Sequence, residues 1–224
     1  MRIQSVFAVL FLAPAVLAAQ GSSAHGADMS VGLRVGTLGI GAEVNKLLVP
    51  HVGARVGFNL FSHSTTEDQD DISFDAKLKL HSVTALVDLY PGARKKFHIT
   101  GGIVTNPLEF TGVGVPHGST FEIDNTTYTS AQVGTLNGSG KFPSVLPYLG
   151  LGFGTPANAH KGIKFVFDVG AAIGQPTLSL TATNPGNNAL LAQSVKNQET
   201  KTQDDVRKYL KVFPSIMFGL VFAF

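Results

Sequence analysis

The chain has 224 residues, 44% hydrophobic and 14% charged, against about 25% charged in an average soluble domain. With 25 Gly, 16 Phe, no Cys and no Trp, it excludes a disulfide scaffold, a cysteine-ligated zinc site and a thiol nucleophile. The balance of 17 basic and 15 acidic residues, a net +2, leaves no electrostatic footprint for nucleic acid.

Arg2 opens a short positive region, and the apolar run Val6–Ala19 follows it. As a helix its 14 residues rise about 21 Å, short of a ~30 Å hydrocarbon core. Pro14 argues further against a span, and the small Ala18 and Ala19 precede the polar Gln20, Gly21, Ser22 and Ser23. Residues 1–19 therefore read as a cleaved signal peptide, 20–29 as a linker and 30–224 as one β-barrel domain.

Beyond Ala19 the dominant signal is alternation at period two. Val31, Leu33 and Val35 hold odd parity, whereas Leu38, Ile40, Ala42 and Val44 hold even parity. The phase break at Gly36-Thr37 means a tight turn or a β-bulge. Clear strands are expected at Leu38–Asn45, Val52–Phe61, Ile72–Leu89, Phe97–Phe110, Val145–Gly154, Gly162–Thr183 and Phe213–Phe224. Single-chain bacterial barrels take an even number of strands. An eighth must come from Met29–Thr37 or from within Gly118–Leu136. The connections Asn45–His51, Pro91–Lys96 and Thr155–Gly162 are short, while Ser62–Asp71, Pro107–Lys141 and Asn184–Lys211 are long and polar. In an outer-membrane barrel the short ones face the periplasm.

Two long connections carry structure of their own. Thr120–Thr129 reads as a hairpin turning at Asp124-Asn125, expected to extend the barrel wall. Asn187–Lys211 reads as a short helix before the last strand, with a broken stripe of Leu191, Val195, Thr202, Val206 and Leu210 and a favourable Asp204–Lys208 pair. It reads first as an ordered loop helix, with a cap over the lumen or a place along the membrane surface as the alternatives. The terminal strand shows Ile216, Phe218, Leu220, Phe222 and Phe224 on one face and smaller residues on the other.

With its signal peptide, dyad alternation and terminal Phe224, the sequence resembles the small bacterial outer-membrane β-barrel proteins of the OmpA-like and OmpX-like kind. The resemblance covers most of Val31–Phe224 in pattern, with no shared functional motif. It implies an all-β, closed antiparallel up-and-down transmembrane barrel of about eight strands in the bacterial outer membrane. It also implies that Ile216, Phe218, Leu220, Phe222 and Phe224 form the signal read by the barrel-assembly machinery. The remaining partner it implies is outer-membrane lipid, and its role is non-catalytic, structural for the envelope or directed to a surface partner.

Charges on the small face of such a strand must pair within a narrow lumen. Glu43 and Arg55, symmetric about the Asn45–His51 turn, are candidate cross-strand partners, and Asp75, Lys77, Lys79, Lys164 and Asp168 have the parity to join them. This network reads as an electrostatic core in place of a hydrophobic one, with an ion path as the rival. Eight strands enclose just enough space for side chains. A narrow channel for small or apolar solutes stays open as an alternative.

The other alternative, an outer-membrane lipid-modifying enzyme, would need a nucleophile and a base, and Ser62, His63, Ser64, Glu67 and Asp68 lie together at a strand end. Adjacent strand residues point to opposite faces, so His63 does not serve Ser62 or Ser64 unless the loop turns. The seven His (His25, His51, His63, His81, His98, His117 and His160) show no metal-ligand spacing. Gly150–Gly154 lacks both the helix and the spacing of a phosphate loop. No cofactor is expected. Tyr90, Tyr148, Phe97, Phe213 and Phe224 lie near strand ends, where an aromatic girdle would stand.

Overall fold

A computed structural model describes residues 28–69, 72–92, 96–116, 120–154, 161–184 and 186–224. The expected signal peptide and most of the linker lie outside them. Eight long strands close into an antiparallel ring: β1 (Met29–Gly36), β2 (Gly39–Val49), β3 (Val52–Gln69), β4 (Ile72–Leu89), β5 (Phe97–Thr105), β10 (Val145–Phe153), β11 (Gly162–Ile173) and β13 (Val212–Ala223). Each pairs with the next in that order, and β13 pairs back to β1. The phase break at Gly36 is a tight turn, since Gly36 pairs with Gly39 around Thr37 and Leu38. Met29–Gly36 thus supplies the eighth strand. The turn is pinned inward, with the Thr37 hydroxyl donating to the Pro214 carbonyl and accepting from the Ile216 N–H, both at 3.0 Å.

The remaining elements are β6 (Glu109–Pro116), β7 (Thr120–Ile123), β8 (Thr126–Thr129), α1 (Ser130–Val133), β9 (Leu136–Lys141), β12 (Thr177–Ala182) and α2 (Ala189–Tyr209). They build a cap on the end of the ring opposite Met29 and Phe224. The upper half of β4 leaves β5 and pairs with β6, and the sheet continues through β9 to β12. The expected strand Phe97–Phe110 is interrupted at Asn106–Leu108, and Gly162–Thr183 at Gly174–Pro176. Between β9 and β10 the break covers Phe142–Ser144. Each break contains a proline, which has no N–H to give to a ladder. The register survives: Thr105 opposes Val145 below the break and Glu109 opposes Lys141 above it, which sets Pro107 opposite Pro143.

The same line marks a reversal in the polarity of the two faces. Below it, Val83, Val87 and Leu89 of β4 are exposed, while Ser82, Thr84 and Asp88 between them are buried. Above it, the outward face of β4 carries Lys79, Lys77 and Asp75, and Leu80 is buried behind them. Parity is unbroken, so the strand passes from an apolar-outside to a polar-outside surrounding without a bulge.

The hairpin β7–β8 turns at Asp124-Asn125, both at positive φ (51° and 59°), as a two-residue primed turn requires. It does not extend the wall but forms a separate two-stranded sheet. Its Ile123 and Tyr128 pack with Val133 and with Leu191 and Val195 of α2. The 21 residues of α2 fall within the expected Asn187–Lys211, and the helix packs along β12 and β7. Asn188 caps it by accepting from the N–H groups of Leu190 and Leu191. The side chains of α2 finish the free edge of β12. Leu178 N–H donates to Gln203 at 2.6 Å and Leu180 N–H to Glu199 at 2.8 Å, so this edge cannot template another strand. The expected Asp204–Lys208 pair is not among the ion pairs of the described residues; Lys196–Glu199 and Lys201–Asp124 form instead.

Candidate functional site: a charged plug across the lumen

Six ionisable side chains from six strands meet inside the ring. Arg34 comes from β1, Glu43 from β2, Arg55 from β3, Asp88 from β4, His98 from β5 and Asp168 from β11. None is more than 8% exposed. Arg34 donates to Glu43 at 2.7 Å and to Asp168. Arg55 reaches both Asp168 oxygens, at 2.8 and 3.1 Å, while its Nε lies 3.0 Å from Asp88. Thr100 links the two ends, accepting from Arg55 at 3.0 Å and donating to Asp88 at 2.7 Å. His98 Nε2 lies 2.8 Å from Asp168 Oδ1; since a carboxylate only accepts, this nitrogen carries the proton. Two guanidinium groups against three carboxylates make one paired, hydrogen-bonded cluster, the condition under which buried charge is tolerable.

Glycine makes the room. In the cross-strand row His98–Gly152–Asp168, Gly152 sits between the two partners, and a Cβ there would overlap both His98 Nε2 and Asp168 Oδ1. Toward the cap the charged layer gives way to an apolar one, in which Leu38, Leu86, Val104, Leu146, Tyr148 and Met217 pack together. A cavity of about 30 Å³ runs from Arg34, Glu43, Arg55 and Asp168 to Leu38 and Met217 of the apolar layer, with room for about one water.

Of the charges singled out in the sequence, the fold brings Glu43, Arg55 and Asp168 together. Glu43 and Arg55 are diagonal rather than opposite: Asn45 opposes Arg55, Gly57 opposes Glu43, and their charged atoms stand 4.0 Å apart. Lys164 shares the inward face of β11 with Asp168, nearer the terminal end. Asp75, Lys77 and Lys79 are not in the lumen; they occupy the outward face of β4 above the proline line. The sequence reading missed Arg34, Asp88 and His98. Arg34 was legible, being on the even face of a strand whose odd face is apolar. Asp88 was hidden because the residues that share its parity in the upper half of β4, from Ile72 to Leu80, are apolar.

Other candidates separate. Ser62 and Ser64 lie on the opposite face of β3 from His63, and the side chains of Glu67 and Asp68 lie outside those described. His51 Nδ1 donates to the Tyr90 carbonyl, 2.7 Å away, whereas His117, His160 and His25 lie outside the described residues. Tyr90 and Tyr148 are 2% and 4% exposed inside the ring and are not girdle residues; Phe97 and Phe224 face outward. Ile216, Phe218, Leu220 and Phe222 form an exposed outer stripe on β13, with Phe218 4.8 Å from the Phe167 ring.

An apolar exterior, a polar interior and a closed cycle of eight antiparallel strands define a small β-barrel with an occluded lumen. Two crystal structures of Acinetobacter baumannii proteins share the fold. CarO2 superposes with a TM-score of 0.57 at 19% identity over 88% of this chain and 98% of its own. CarO gives 0.54 at 21% identity over 87% of this chain and 97% of its own. No protein-family model matches the sequence, and no curated protein does.

Proposed function

We propose that the chain is an integral β-barrel of the bacterial outer membrane with a sealed lumen and a non-catalytic role. It would serve envelope structure or a surface partner through its cap. No helix among the described residues is long and apolar enough to cross a membrane; in this reading the ring crosses it with strands. Its outer face carries Leu33, Ile40, Val56, Phe165 and Leu220, each at least half exposed, which water would not tolerate as a continuous belt. The 12 residues of β13, tilted as such strands are, rise about 30 Å. In this orientation the termini and short turns face the periplasm, the cap faces outward, and the β13 stripe ending at Phe224 is the segment offered to the assembly machinery.

The observation that carries the sealed reading is the six-residue plug. An ion would have to break buried pairs and then cross the apolar layer around Leu38 and Met217. Single-channel recording of the mature protein, refolded and shown folded by a boiling-dependent gel shift, tests it. Silence is expected; steady conductance overturns the sealed lumen and favours a narrow channel.

A further inference from the structure

Where the ladder breaks at Pro107 and Pro143, two hydrogen bonds flank a gap: Asn106 N–H to Ser144 O at 3.1 Å and Phe142 N–H to Leu108 O at 3.3 Å. Asn106 adopts positive φ (39°) to turn out of the strand. The gap opens into a pocket of about 210 Å³, lined by Lys79, His81, Asn106, Glu109, Lys141 and Ser144 among others. Lys79, Glu109 and Lys141 form one cross-strand row on one face. Neither lysine is in an ion pair among those of the described residues, although Glu109 stands between them. This face continues directly into the apolar belt, with exposed Val83, Ile103 and Val145 just below.

We propose that this pocket binds the phosphate group of an outer-leaflet lipid, whose acyl chains run down over Val83, Ile103 and Val145. The inference rests on the membrane reading above and adds a ligand to it. At roughly 30 Å³ per water the pocket holds a phosphate with part of its hydration. Two ammonium groups supply charge and three donors each, and His81, Asn106 and Ser144 add directional donors. Glu109 sets the net charge of the row at one positive, enough to attract a phosphate monoester and low enough to let it exchange. The apolar strip beneath selects an anion attached to a lipid over the free ion.

The test uses the folded mature protein in neutral detergent micelles, titrated with phosphatidic acid, with the matching diacylglycerol and with inorganic phosphate. Phosphatidic acid should bind, with diacylglycerol and free phosphate at least tenfold weaker. Lys79→Gln with Lys141→Gln should lower the affinity about tenfold or more, and Glu109→Gln should raise it. The control pair Lys46→Gln with Lys96→Gln, at the opposite end of the ring, should leave it within about twofold. Equal binding of diacylglycerol or of free phosphate overturns the proposal, as does an equal loss in the two lysine pairs. Flotation with neutral phosphatidylcholine vesicles separates the two readings: a protein that fails to float overturns the membrane reading and this site with it. One that floats without preferring phosphate overturns the site alone.

Discussion

Replacing Arg55 by Met removes the cation that holds the plug together. The wild-type cluster carries three carboxylates against two guanidinium groups; the variant leaves three against one. Asp88 keeps the Thr100 hydroxyl, with the His98 ring 4.0 Å away, while Asp168 retains Arg34 and His98. Arg55 is 3% exposed, so water does not fill in for it, and breaking one partner out of a buried pair costs about 3–5 kcal/mol. That is a large share of the ~5–15 kcal/mol that holds a domain folded. The double variant Arg55→Met with Asp88→Asn restores two carboxylates against one guanidinium, the original excess of one, and should recover most of the loss. Urea titration in phosphatidylcholine vesicles, with the folded fraction read from the mobility of unboiled samples, measures both. A single-variant loss below about 1 kcal/mol, or a double variant no better than the single, would refute the view that charge pairing holds the lumen.

Three further outcomes follow from the same geometry. Gly152→Ala places a methyl group where His98 and Asp168 meet and should cost about 1–3 kcal/mol as overpacking, whereas Gly138→Ala in the cap, whose nearest side chain would stand 3.9 Å away, should be close to neutral in the same titration. The Lys201 ammonium, with Asn197, holds Asp124 below the usual carboxylate range, and Lys196 with the Leu180 N–H does the same for Glu199. Both carboxyl pKa values are depressed on folding, so their contribution is present above the ordinary value near ~4 and lost as pH falls through the folded one. The protection of Ala189–Tyr209 against hydrogen exchange, corrected for the intrinsic rate, should therefore fall on acidification below about pH 4 while that of β1 and β13 holds. Gln203→Ala frees the Leu178 N–H and the Pro176 carbonyl at the β12 edge; light scattering of the refolded variant should show a greater tendency to associate, and an unchanged signal would argue against edge protection by α2.

The parts of the fold that were legible in the sequence are those governed by local alternation. In β2 up to Val44, β3 below Leu60, β10, β11 and β13, one parity is continuously apolar because outward-facing and lumen-facing positions alternate strictly. The Asp124-Asn125 turn was legible for a similar reason, since few residue pairs accept two positive φ angles in succession. Charged positions were readable only where the strand keeps one surrounding throughout, as Glu43, Arg55 and Asp168 do. In β4 the same parity means lumen at Asp88 and shielded cap interior at Leu80, so Asp75, Lys77 and Lys79 were placed on the wrong side of the wall.

Which charges meet was decided by tertiary structure alone. Arg34 and Asp168 are 134 residues apart in sequence, and only the closure of β13 against β1 and β11 sets them within reach. The proline line is likewise a property of the assembly: Pro107, Pro143 and Pro176 are unremarkable one by one, and register aligns them into a single seam. Alternation is a one-strand property and can be read along the chain. Pairing, closure and the level at which a strand leaves one surrounding for another depend on its neighbours, and no local pattern records them.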